Sequence, residues 1–123
     1  MNLKNVYTVS AVVGLLFGLT LLLIPASFLS LYGAEINDAL VYIGRLLGAA
    51  YIGFAVIAWS VRSSSGTNAG KIVLPGYFAS YAIGFVVAVI TQLSGSVNAL
   101  GWSTVVIMLL FTLAFGYFQF VKK

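Results

Sequence analysis

The stretch DALVYIGRLLGAAYIGFAVIAW, residues 38–59, decides the fold because it is apolar over the whole width of a lipid bilayer. A helix that crosses a membrane needs about 20 mostly apolar residues. This stretch has 22 residues, and Arg45 is its one charged residue after Asp38. Asn37 or Asp38 can cap the start of a helix. The pattern predicts a membrane-spanning helix over residues 38–61.

Three more apolar segments flank this stretch. Residues 6–24 carry no charge and predict a first span. The segment is longer than the apolar region of a typical signal peptide, so we expect an uncleaved helix. Pro25 interrupts it, and residues 26–33 predict a short interfacial segment that ends at a glycine.

The second half of the chain predicts two more spans. RSSSGTNAGK, residues 62–71, is the one long polar loop. No charge follows from residue 72 to residue 121, which predicts spans over 72–93 and 98–121, with Pro75 in the first turn of the third. Residues 1–123 are therefore expected to form a single all-α transmembrane domain of four helices.

The composition excludes several classes of function. The chain is 62% hydrophobic and 7% charged, unlike a soluble domain, in which about a quarter of residues are charged. It has no cysteine and no histidine, so the commonest metal ligands and acid–base groups are missing. We expect no enzyme, no metal, no cofactor and no nucleic-acid partner.

The few charges predict the orientation. Basic residues collect on the cytoplasmic side of a membrane. With four spans, one side receives all of the basic residues outside the spans, namely Lys4, Arg62, Lys71, Lys122 and Lys123. Glu35 and Asp38, the two acids, fall in the opposite loop. The sequence therefore predicts an antiparallel four-helix bundle in the cell membrane with both termini in the cytoplasm.

Small residues at four-residue spacing predict the helix contacts, because they let backbones approach closely. The predicted packing positions are Gly14, Gly18, Gly44, Gly48, Gly53, Gly76, Ser80 and Gly84. The chain also has seven tyrosines and nine phenylalanines. We expect most of these aromatic side chains to face lipid or the membrane interface.

Arg45 is the one charge inside a predicted span. It shares a helix face with Gly48 and Gly53, so we expect it to point into the bundle. A helical side chain leans toward the N-terminus of its helix, which brings the guanidinium toward Glu35 and Asp38. The first interpretation is a structural ion pair with these acids, because an unpaired arginine at mid-membrane costs about 2.5–3.5 kcal/mol.

Two alternatives to the ion pair remain open. Arg45 and Tyr42 could bind an anionic headgroup, a carboxylate or a quinone carbonyl, in a pocket closed by Gln92, Asn98 and Trp102. Arg45 could also contact a partner subunit.

Other polar residues in the spans have simpler interpretations. The hydroxyl of Tyr51 needs a partner at its depth. Four threonines are expected to hydrogen-bond to their own helices and to need no other role, namely Thr20, Thr91, Thr104 and Thr112.

Two segments carry a resemblance to a known group of proteins. LYG, residues 31–33, and RLLGAAYIGFAVIAW, residues 45–59, resemble small four-helix membrane proteins of the DoxX-like superfamily. In such proteins a Pro-containing segment ends in Tyr-Gly, and an arginine then opens a Gly/Ala-rich second span. The resemblance covers about the first half of the chain. It implies a four-helix bundle in a prokaryotic cytoplasmic membrane and little about activity.

Three functions are consistent with this sequence. The first is an accessory or scaffolding subunit of a larger membrane complex, in contact with lipid and with other subunits or with further copies of itself. The second is a protein that binds a lipid, a quinone or another amphiphilic anion near Arg45. The third is a small channel or transporter.

Overall fold

The computed structural model describes residues 2–121, and all regular structure in them is helical. The helices are α1 (Leu3–Leu23), α2 (Pro25–Ser30), α3 (Asp38–Val61), α4 (Asn68–Leu93) and α5 (Gly101–Gly116). A 3-10 turn (Arg62–Ser64) follows α3, and a π-helical segment (Tyr117–Val121) continues α5. Four helices are long and apolar enough to cross a membrane, which indicates a multi-pass membrane protein.

Asparagine side chains begin the first and third helices. The side chain of Asn2 accepts a hydrogen bond from the backbone N–H of Asn5, and α1 starts at Leu3. The side chain of Asn37 accepts one from Leu40 at 2.9 Å. Asn37 is thus the N-cap residue of α3.

The last two long helices begin at residues other than those expected. α4 starts at Asn68, so Pro75 lies inside the helix and not in its first turn. Because proline has no N–H, it cannot bond to the carbonyl of Lys71. α5 starts at Gly101, later than expected, because Asn98 belongs to the turn before it.

Glycines bring α1 and α3 into close contact. A Cβ atom added at Gly18 would lie 2.9 Å from the carbonyl oxygen of Gly48, and one added at Gly48 would lie 2.7 Å from that of Gly18. Further along the same pair, Gly14 faces Ala55. Gly44 faces Leu29 of α2.

The other predicted packing positions differ in their surroundings. Gly84 of α4 lies against the side chain of Met108 in α5, where a Cβ atom would be 3.1 Å from the sulfur. Gly53 and Gly76 have open space around them, and Ser80 is exposed. Gly53 and Gly76 therefore make no close helix contact within the described residues.

Six of the sixteen tyrosine and phenylalanine side chains form the centre of the core. The sequence predicts that most of these side chains face lipid or the membrane interface, and it did not single out these six. The buried aromatic cluster contains Tyr7, Tyr77, Tyr81, Phe111, Phe115 and Phe118. Tyr7 and Phe115 are 0% exposed, and their ring centroids are 5.4 Å apart. Rings supply large apolar areas and favourable edge and offset geometries. They fill the space between the α1–α3 pair and the α4–α5 pair.

The tyrosine hydroxyls in this cluster are hydrogen-bonded. Tyr7 donates to the carbonyl oxygen of Gly70 at 2.7 Å, and Tyr77 donates to that of Phe54. The hydroxyl of Tyr81 lies 2.7 Å from that of Ser10. These bonds connect α1 and α3 to α4 without leaving a polar atom unpaired in an apolar core.

Candidate functional site

A second junction joins the segment after α2 to the turn before α5. The backbone N–H of Asn98 donates to the carbonyl oxygen of Tyr32 at 3.0 Å, and its side-chain Nδ2 donates to that of Leu31 at 2.8 Å. Asn98 Oδ1 accepts from the N–H of Leu100. Gly33 packs against Asn98 with a φ of +80°, a conformation that favours glycine. Asn98 thus fixes the position of Tyr32.

Between this junction and the aromatic cluster the helices border a half-open cavity of about 270 Å³. Tyr51 of α3 and Tyr32 line one part of it, and α4, α5 and the turn before α5 supply the remainder. The other lining residues are Gly84, Val87, Ala88, Thr91, Gln92, Val97, Gly101, Thr104 and Met108. No lining residue is charged. We call this the Tyr51 cavity.

Several hydroxyl groups in the Tyr51 cavity lack good hydrogen bonds. Within residues 2–121, the hydroxyls of Tyr51 and Thr91 have no hydrogen-bond partner, and that of Thr104 meets only Tyr32 at 3.5 Å. Outside the cavity, Thr20 and Thr112 each donate to the carbonyl four residues earlier, as expected. The expectation that Thr91 and Thr104 do the same does not match the structure.

Gln92 is held at the end of the Tyr51 cavity. Its Nε2 donates to the carbonyl oxygen of Asn98 at 3.0 Å, whereas its Oε1 is buried without a hydrogen-bond partner in the described part of the chain. A Cβ atom at Gly101 would lie 2.1 Å from this Oε1. Gly101 therefore leaves the space that the amide occupies.

Arg45 lies away from the Tyr51 cavity and does not point into the bundle. The buried residues of α3 are Gly44, Gly48, Ala55 and Ala58, and Arg45 is exposed. Each residue turns a helix by about 100°, so the packed face is displaced by about one residue from the predicted one. The predicted face held Arg45, Gly48 and Gly53, and of these only Gly48 is buried.

The predicted partners of Arg45 are also apart from it. Among residues 2–121 the structure records no ion pair between Arg45 and Glu35 or Asp38. Tyr42 is 63% exposed and Trp102 is 47% exposed, and neither lines the cavity. Of the residues proposed for an anion pocket, Gln92 lines the cavity and Asn98 braces it.

Sequence reasoning singled out Tyr51 but missed Tyr32, Thr91 and Thr104 as lining residues. Tyr51 stood out because a hydroxyl deep in a span needs a partner. Thr91 and Thr104 gave no signal, because a threonine in a helix ordinarily bonds to its own backbone. Tyr32 lies in the segment predicted to be interfacial, and only its link to Asn98 places it here.

The fold and the cavity define a class: a multi-pass helical membrane protein with an uncharged, hydroxyl-lined cavity between its helices. Comparison with protein-family models, curated proteins and solved structures finds no match for the chain. The relationship to the DoxX-like superfamily stays a prediction.

Proposed function

We propose that this protein binds a small neutral amphiphile in the Tyr51 cavity. The observation that carries the proposal is the pair of unpartnered hydroxyls on Tyr51 and Thr91. A hydroxyl in an apolar environment costs about 1–3 kcal/mol when it makes no hydrogen bond. A ligand that supplies a hydroxyl or carbonyl group removes this cost.

The accessibility of these hydroxyls supports a ligand. In the described part of the chain, the fully buried side-chain polar atoms without partners are on Arg62 and Gln92. The unpaired oxygens of Tyr51 and Thr91 are therefore not sealed by protein. A molecule in the cavity can reach them.

The chemistry of the lining defines the ligand class. The cavity holds hydroxyl and amide groups, apolar side chains and no charge, so a neutral head is favoured over the anion that Arg45 had suggested. Its volume of about 270 Å³ lies just below the ~300–1,000 Å³ range of small-molecule sites. A quinone or quinol ring and the head of a neutral lipid have suitable chemistry. With no acid or base in the lining, we propose binding without catalysis.

Lipid analysis tests this proposal. The protein is purified in mild detergent, and its extract is compared by mass spectrometry with the extract of the source membrane. We expect a neutral amphiphile to be enriched with the wild-type protein. The loss of one hydrogen bond of about 1 kcal/mol weakens binding about fivefold. Tyr51→Phe and Thr91→Val should therefore each retain about a fifth of the amphiphile that the wild-type protein retains.

The matched control is Thr112→Val, which removes a hydroxyl that bonds to its own helix at Met108. This variant should retain the amphiphile at the wild-type level. Equal amounts of every neutral lipid in wild type, Tyr51→Phe and Thr91→Val would rule the proposed site out.

A second candidate function is an accessory subunit of a membrane complex. One face of α4 has small residues without a close neighbour, since Gly76 has open space around it and Ala79 and Ser80 are exposed. Small residues let another helix approach. Gentle purification from native membranes tests this candidate: a copurifying membrane protein that is lost on Gly76→Leu supports it, and migration of the chain alone refutes it.

For the arrangement in the membrane we propose an antiparallel bundle with both termini in the cytoplasm of a prokaryotic cell. The support is the charge distribution, with Glu35 and Asp38 in one loop and Arg62 and Lys71 in the next. The α1–α3 contacts support this arrangement, because Gly18 meets Gly48 while Gly14, earlier in α1, meets Ala55, later in α3. Reporter fusions test the topology, and a reporter at either terminus that is active only outside the cytoplasm would overturn it.

A further inference from the structure

A surface groove lies between α1 and α3, separate from the Tyr51 cavity. Its volume is about 470 Å³. Its lining is almost entirely apolar and consists of Ala11, Val12, Leu15, Ala55, Val56, Trp59 and Ser60. Val12 and Val56 are 47% and 57% exposed, so the groove opens to the surroundings of the helices. In a membrane those surroundings are lipid chains.

A positive charge is fixed at the Trp59 end of this groove. The Cζ atom of Arg62 lies 3.9 Å from the centroid of the Trp59 ring. This is a cation–π contact, which attracts the guanidinium to the ring face. Trp59 therefore contributes to the apolar groove and also supports the charged group.

The guanidinium of Arg62 has no acceptor in the described chain. Its Nε is buried without a hydrogen-bond partner, and no carboxylate of residues 2–121 pairs with it. The two acidic residues of the chain, Glu35 and Asp38, lie at or before the start of α3. Because α3 has 24 residues, they are roughly 36 Å from Arg62 along the helix. A counter-ion for Arg62 would therefore come from outside the described chain.

We propose that the groove between α1 and α3 binds an acyl chain of an anionic phospholipid whose phosphate pairs with Arg62. The apolar lining fits a hydrocarbon chain, and the guanidinium at its end fits phosphate oxygens, which it binds in bidentate geometry. This site differs from the Tyr51 cavity in residues, charge and ligand. Either site can be refuted while the other stands.

The fluorescence of Trp59 reports whether a lipid chain occupies the groove. The chain has two tryptophans, so Trp102→Phe leaves Trp59 as the single tryptophan fluorophore. The protein is reconstituted in vesicles of equal parts phosphatidylglycerol and phosphatidylcholine, with bromine on the acyl chains of one lipid or of the other. The lipid composition and the surface charge of the vesicles stay constant, and only the lipid that carries the bromine quencher changes.

We expect bromine on phosphatidylglycerol to quench Trp59 more strongly. The expected binding preference is about fivefold, the factor that one basic residue near an anionic surface supplies. Arg62→Gln should bring the two quenching curves together. Lys71→Gln removes the same charge from an exposed residue and should leave the preference unchanged.

Two further arms separate the groove from a general attraction to anions. Val12→Phe, at an exposed position of the groove wall, should reduce quenching by brominated phosphatidylglycerol. Added glycerol phosphate, which has the headgroup chemistry without the acyl chain, should not relieve the quenching.

Equal quenching by both lipids in the Trp102→Phe protein would overturn the proposal before any change at Arg62. The proposal would also be overturned if the preference for brominated phosphatidylglycerol survived Arg62→Gln, or if Lys71→Gln abolished it equally. Either result would show that the preference comes from the surface potential of the membrane. Relief by glycerol phosphate would show a site for the free phosphate and not for the lipid.

Discussion

Gly48→Ala tests whether the close approach of α1 and α3 holds the bundle together. The added methyl carbon would lie 2.7 Å from the carbonyl oxygen of Gly18 and 2.9 Å from the backbone nitrogen of Leu22. Neither atom can rotate away as a side chain can. To restore an ordinary contact of 3.4 Å, the two helices must separate by about 0.7 Å.

This separation of the helices determines how much Gly48→Ala lowers the free energy of unfolding. A gap of 0.5–1 Å forfeits about a quarter to a half of the dispersion energy of the contacting atoms, and overpacking costs about 1–3 kcal/mol in total. Alanine is favoured over glycine in a helix by up to about 1 kcal/mol. We therefore expect Gly48→Ala to lower the free energy of unfolding by about 1–2 kcal/mol.

The control lies on the same helix. A methyl carbon added at Gly53 of α3 would have nothing within 4 Å of it, so Gly53→Ala meets no obstacle. It should leave the free energy of unfolding unchanged or raise it by up to about 1 kcal/mol. Both variants are unfolded in mixed micelles with increasing dodecyl sulfate and followed by circular dichroism. A Gly48→Ala protein as stable as Gly53→Ala would refute the role of the glycine contact.

The same unfolding assay tests three further substitutions. Tyr77→Phe removes the donor to the Phe54 carbonyl and should cost about 1 kcal/mol, and an unchanged midpoint would contradict this bond. Gly101→Ala should cost about 1–3 kcal/mol through its clashes with Gln92 and Val97, and adding Gln92→Ala should recover part of the loss unless the clash with Gln92 is absent. Arg45→Leu should change stability by less than about 0.5 kcal/mol, because no ion pair within residues 2–121 is lost, and a loss above about 2 kcal/mol would show a structural partner.

Span number and helical character could be predicted from the sequence because they depend on hydropathy summed over some 20 residues. Four helices of suitable length and apolarity are present. The residues at which the helices begin were less predictable. The sequence offered Asn37 or Asp38 as the cap of α3, and Thr67 precedes an α4 that starts within the loop predicted to be polar. Hydropathy gives no sharp boundary where a polar helical turn extends beyond an apolar span.

The side of each helix that packs against other helices could not be predicted in the same way. In a soluble protein the apolar face of a helix marks the core. Here lipid is as apolar as the core, so hydropathy does not separate the face of α3 that holds Arg45, which was predicted to pack, from the face that holds Ala55. The contact of Ala55 with Gly14 of α1 distinguishes them. For the same reason the sequence did not single out Tyr7 and Phe115 as core residues, although they are 0% exposed.

Some tyrosine hydroxyls in this protein are hydrogen-bonded and that of Tyr51 is not, and this difference identifies the cavity. The hydroxyls of Tyr7, Tyr77 and Tyr81 bond across helices, and these residues are buried. The hydroxyl of Tyr51 is left unpaired within the described chain. If Tyr51 served packing alone, phenylalanine would fill the same volume without an unpaired polar group in an apolar environment.

That argument predicts how stability and binding separate. Without ligand, Tyr51→Phe should be at least as stable as the wild-type protein, because the substitution removes an unpaired hydroxyl and keeps the ring. With the amphiphile present, the wild-type protein should become the more stable of the two, since a ligand that binds the native state stabilises it. A Tyr51→Phe protein that is less stable in the absence of ligand would mean that the hydroxyl has a partner within the chain, and the Tyr51 cavity would then have no need of a ligand.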